Sequence, residues 1–84
     1  MTTTDPGAAR RPTLTRREKQ VLLTWLRCDS KGTTGSRLYI SPATVSTHIE
    51  RIRRKYAAAG RPARTKCDLF VRVVQDGIVQ LDEW

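Results

Sequence analysis

The sequence predicts an all-α domain of four short helices, and three observations carry that prediction. Apolar residues recur at spacings of three and four, as in Val45, Ile49, Ile52 and Tyr56, which is the stripe of a helix packed on one side. Three of the four candidate helices open on a capping signal: Thr15 with Glu18, Ser41 with Pro42, and Thr65 with Asp68. Helix stops stand where stops are needed, at Gly60 with Pro62 and again at Gly77.

The first helix begins at Thr15. Thr15 and Glu18 form a T-x-x-E capping box, in which each side chain accepts from a backbone N–H at the other's position. Leu14 is placed to staple the entry, and Val21, Leu22, Trp25 and Leu26 form the buried stripe. Arg16, Arg17, Lys19 and Arg27 fall outside it. Trp25 lies on the apolar stripe, which favours a core role over a platform for stacking a base.

The second helix falls within Cys28–Leu38, with Asp29 or Ser30 as its cap. It is the weakest by propensity. Gly32 and Gly35 each cost about 1 kcal/mol relative to alanine in a helix interior, and Thr33 and Thr34 add smaller penalties. Residues 39–41 form the turn that follows.

The third helix, about 42–58, carries the chemistry. Ser41 is an N-cap and Pro42 occupies the first helical position, where its missing N–H costs nothing. Val45, Ile49, Ile52 and Tyr56 face inward. The opposite side carries Thr44, Ser46, Thr47 and Glu50, then the basic run Arg51, Arg53, Arg54 and Lys55. Short polar side chains first and cations last suit a helix whose N-terminal half enters a DNA groove and whose later turns meet phosphates. A solvated face on an ordinary amphipathic helix is the competing explanation. The cap, the hydroxyl cluster and the preceding turn weigh against it.

A fourth helix spans about Lys66–Asp76, with Thr65 and Asp68 as its cap pair. Leu69, Phe70, Val73 and Val74 give it two adjacent apolar stripes, wider than a small core needs, so part of that face is available to a partner. The tail Ile78–Trp84 is apolar and acidic and is expected to fold back on the core. Residues 1–12, rich in Thr, Gly, Ala and Pro without a period, read as a flexible leader. Arg10 and Arg11 form a short basic arm there, more simply a solvated leader than a groove contact. Residues 13–84 are the domain.

The balance of charge points to a polyanion. The 84 residues carry a formal net charge of +8, which suits nucleic acid before an acidic membrane or protein. Residues 51–66 hold seven cations (Arg51, Arg53, Arg54, Lys55, Arg61, Arg64, Lys66) and no acid. Residues 68–84 carry four acids against Arg72 alone. One histidine, two distant cysteines, no phosphate-binding glycine loop and no paired carboxylates on one helix face argue against an enzyme, a metal or a cofactor. No apolar run reaches the roughly 18 residues of a membrane span, and the start lacks a signal peptide, so a cytoplasmic, nucleoid-associated protein without a membrane partner is expected.

The ordered motifs resemble the LuxR/GerE family of helix-turn-helix transcription factors. The resemblance rests on Leu14-Thr15-x-Arg17-Glu18-x-x-Val21-Leu22, Ser30-Lys31, and Arg37-Leu38-Tyr39-Ile40-Ser41-Pro42-Ala43-Thr44-Val45-Ser46-Thr47-His48-Ile49, and then on Arg51-Ile52-x-Arg54-Lys55 and Gly77-Ile78. It covers about residues 13–81 and implies a bacterial DNA-binding regulator with its third helix in the major groove of double-stranded DNA. By position it places Ser46, Thr47 and Glu50 at base edges. Thr44, Arg54 and Lys55 fall at phosphates, and Arg51 and Arg64 join the basic surface that binds DNA. His48 is assigned a phosphate or interhelix hydrogen bond. The resemblance further implies a homodimer through the fourth helix and a possible RNA polymerase contact.

Two departures from the family pattern stand out. Gly32-Thr33-Thr34-Gly35 replaces a charged and apolar pattern, with Thr34 where a larger aliphatic residue is usual, so a loosely ordered second helix is expected. The link through Ala57–Arg64 is also longer than usual. No receiver or ligand-binding domain is present in the sequence, which leaves a stand-alone regulator or an excised C-terminal domain; Met1 followed by an unpatterned leader favours the former. Two alternatives are a sigma region-4-like domain, disfavoured by the ISPATV turn, and a helix-turn-helix module that binds proteins of the transcription machinery.

Overall fold

A computed structural model describes residues 12–28 and 30–79. Among these residues the fold is all-α, with α1 at Arg16–Arg27, α2 at Lys31–Leu38, α3 at Pro42–Ala58 and α4 at Lys66–Gln75. Residues 1–11 of the expected leader with the Arg10–Arg11 arm, an Asp29 cap and the end of the tail with Trp84 lie outside the described residues.

Each helix begins on a side chain that accepts from its first turn. Thr15 and Glu18 complete the capping box of α1 (3.0 and 2.8 Å), and Thr65 with Asp68 completes that of α4 (3.0 and 3.2 Å). Ser30 accepts from the Thr33 N–H at 3.1 Å, and Ser41 accepts from the Thr44 N–H at 3.1 Å. The endings of α2, α3 and α4 share one device. The amide of Ile40, Arg61 or Ile78 reaches back five residues to Gly35, Tyr56 or Val73 (2.9, 2.9 and 3.0 Å). The residue that makes this possible has positive φ: Gly60 at 74°, Gly77 at 70° and, in the turn between α2 and α3, Tyr39 at 59°. A left-handed conformation on a non-glycine residue costs on the order of 1 kcal/mol, and Tyr39 occupies it with its side chain almost wholly in solvent.

The core is one cluster. Val21, Leu22 and Trp25 of α1 meet Val45, Ile49, Ile52 and Tyr56 of α3, and Leu69 and Val73 of α4 close it, with Leu14, Ala63 and Val79 at the margins. Phe70 and Val74 are only partly buried, in keeping with the wide apolar face anticipated for α4. Ile78 packs on the core and Val79 is buried, so the start of the tail folds back.

Helix α2 differs from expectation. It is a regular eight-residue helix in spite of its two glycines. Tertiary contacts override propensity here. Thr34 is fully buried and satisfies its own hydroxyl on the Ser30 carbonyl at 2.9 Å. Gly35 lies where a Cβ would run into the Ile40 carbonyl oxygen, so the absent side chain lets α2 close onto the start of α3. Arg17 reaches from α1 toward the Leu38 carbonyl at the C-terminus of α2 (3.4 Å).

Candidate nucleic-acid interface

At about 100° per residue, the core stripe of α3 leaves a broad arc on the opposite side. Ala43, Thr44, Thr47, Glu50, Arg51 and Arg54 on that arc are all exposed, and Ser46 is half-buried at its edge. Ser46, Thr47, Glu50, Arg51 and Arg54 line one shallow depression. Five of the eight residues singled out from the sequence therefore come together on one surface. Thr44 stands one turn earlier, with its hydroxyl 2.9 Å from that of Ser41. Thr47 donates to the Ala43 carbonyl (3.1 Å), which leaves its lone pairs and methyl group outward.

The remaining two are placed differently. Arg64 is exposed, but in the connection between α3 and α4. Lys55 departs most from its expected place at a phosphate. Its ammonium donates to Glu18 Oε1 at 2.5 Å and to the Thr13 carbonyl at 3.0 Å, tying the end of α3 to the start of α1. Burial alone would raise the Glu18 carboxyl. The hydrogen bonds from Lys55 and Thr15, with the Lys55 charge, outweigh that and hold it below its ordinary value.

A second polar cluster anchors the other end of α3. The buried Tyr56 hydroxyl donates to Asp76 Oδ2 at 2.9 Å, and Arg61 pairs with Asp76 Oδ1 at 2.7 Å. Arg61 also lies over the Tyr56 ring, 5.5 Å from its centroid. Burial first, then the bond to Asp76 and its charge, push the phenol well above its usual range. These contacts fix the axis and roll of α3, and hence the direction in which its outer arc points.

Arg53, read from the sequence as part of the outward basic run, is instead half-buried against α1. It pairs with Glu50 at 3.2 Å and lies over the Trp25 ring, 5.8 Å from the centroid. The i, i+3 spacing of acid and base was a signal that could have found the pair.

A model of the bacterial regulatory proteins, luxR family (GerE), matches residues 12–66, more than half of the chain and all of α1 to α3. The chain belongs to the luxR family. It is accordingly a DNA-binding helix-turn-helix regulator, with α2 and α3 as the motif and Tyr39–Ser41 as its turn. Neither the curated proteins nor the solved structures contain a match to this luxR-family chain. Among its described residues there is no cluster of side chains able to hold a metal ion, and no helix long and apolar enough to cross a membrane. Both thiols, Cys28 and Cys67, are unpaired with each other.

Proposed function

We propose that this protein is a sequence-specific transcriptional regulator that lays the outer arc of α3 in the major groove of double-stranded DNA. The observation that carries this reading is the grouping of Ser46, Thr47, Glu50, Arg51 and Arg54 on one exposed surface of the helix. Ser46 can donate to or accept from base edges, Thr47 can accept through its free lone pairs or touch a thymine methyl, and Glu50 can accept from a cytosine amino group. Arg51 and Arg54 flank them with positive charge, and Thr44 and Arg64 extend the phosphate contacts, which set register without reading sequence. Lys55 serves the fold through Glu18 before it serves the phosphates.

We further propose that two copies pair through α4, which brings two recognition helices to a two-fold site. Supporting this, Phe70 and Val74 are half-buried and Val71 is 47% exposed, on a helix whose other face already fills the core. Selection of bound duplexes from a randomised pool at near-physiological salt tests both statements. The expected product is an inverted repeat with half-sites about one helical turn apart. A single enriched half-site would overturn the dimer, and binding without enrichment would overturn sequence-specific reading.

A further inference from the structure

We infer that Arg53 is a specificity-determining residue that acts through Glu50: it holds the Glu50 carboxylate in reading position and offsets its charge, while Trp25 holds Arg53. The inference rests on the proposed reading of a base pair by Glu50.

A carboxylate on a DNA-facing surface carries two handicaps. It is repelled by phosphates, and a 57% exposed side chain with three rotatable bonds must be ordered before it can accept a hydrogen bond in one direction. Arg53 answers both. Its Nη1 donates to Glu50 Oε1 at 3.2 Å, which leaves Oε2 for a base. An exposed i, i+3 pair alone is weak, because two long side chains must be fixed together. Here one of them is already fixed.

The Arg53 side chain is 28% exposed, its guanidinium lies over the indole of Trp25, and its Nε is buried without a hydrogen-bond partner. Its Nε makes no hydrogen bond that would hold the group elsewhere, so the guanidinium is placed by its position over Trp25 and by the Nη1 bond to Glu50. Trp25 is itself held by its surroundings. It is 7% exposed within the core cluster, and Lys66 Nζ lies 4.9 Å from its centroid while donating to the Cys28 carbonyl at 2.6 Å. The chain of support therefore runs from α1 through Trp25 and Arg53 to Glu50. It ends on the outer arc at the one acid there.

The test compares Glu50→Ala, Arg53→Met, Arg53→Gln and Glu50→Ala/Arg53→Met on the selected duplex and on duplexes changed at one base pair each. The ratio of affinities for two duplexes of equal charge cancels the general phosphate attraction, which a bare affinity does not. Glu50→Ala should lower discrimination about tenfold at one base pair. Arg53→Met should lower it about three- to tenfold at that same pair and nowhere else, and the double variant should be no worse than Glu50→Ala alone. Methionine keeps a stem on Trp25, and Arg53→Gln carries the test if Arg53→Met fails to fold by thermal melting. Glu50→Ala without effect on preference would sink the base reading by Glu50, and the role of Arg53 with it. Relaxation by Glu50→Ala but not by the Arg53 variants would overturn the Arg53 inference alone. So would additive losses, a change at a different base pair, or a uniform loss with the salt slope reduced by about one contact.

Discussion

The inner edge and the outer arc of α3 are both rich in charge and polarity, yet they are built on opposite rules. On the inner edge Lys55 is answered from far along the chain by Glu18 and Thr13, and Tyr56 by Asp76, while the buried His48 Nδ1 finds no hydrogen-bond partner among the described residues, contrary to the interhelix bond expected of it. On the outer arc Arg51 and Arg54 meet no carboxylate among the described residues. Arg54 and Lys55 are adjacent and carry the same charge, but one helical step of about 100° separates a side chain left to solvent from one that ties two helices together. The net charge of +8 is therefore not the footprint on DNA. Partnership inside the fold decides which cations remain for phosphates.

That contrast can be broken most forcefully at its buried end. Asp76→Ala removes the carboxylate shared by Tyr56 and Arg61 and should cost about 3 kcal/mol in denaturant unfolding. Lys55→Ala leaves the buried Glu18 carboxylate without its cation, and a loss of about 2 kcal/mol is expected. An effect on DNA affinity alone, with unchanged stability, would return Lys55 to the outer set. Glu18→Gln should cost about 1 kcal/mol, since Lys55 keeps access to water. Because the folded carboxyl titrates below its ordinary value of 4.5, its stabilisation is complete above that pH and drains as pH falls through the folded value. Melting temperatures of Glu18→Gln and the parent protein should thus converge on acidification below about 4.5. The smallest stability effect belongs to Arg54→Ala, within about 0.5 kcal/mol of the parent. Its signature is instead a salt dependence of DNA binding reduced by about one contact, equally for every sequence.

How far the sequence revealed these features follows from how local they are. The caps at Thr15, Ser41 and Thr65 were readable because their donors and acceptors lie within three residues of each other. The core stripe of α3 was readable because its period is that of the helix itself. The outer arc is the complement of that stripe, so Ser46, Thr47, Glu50, Arg51 and Arg54 came with it. The Glu18–Lys55 pair spans 37 positions and Tyr56–Asp76 spans 20, and no local pattern announces either. Propensity misjudged α2, because the cost of Gly35 is set against a close approach to Ile40 that only the assembled fold contains.

The corner at Gly35 also bears on how such a protein can acquire a new address on DNA. The meeting of α2 with α3 is set by a carbonyl oxygen and a missing carbon atom, both backbone features. Ala43, Thr44, Thr47, Glu50, Arg51 and Arg54 belong to neither that corner nor the core cluster. The geometry that presents the outer arc is thus separable from the side chains it carries. On the proposed reading of DNA by α3, exchanging exposed side chains of that arc is expected to change the preferred duplex while the Gly35 corner and the core cluster stay as they are.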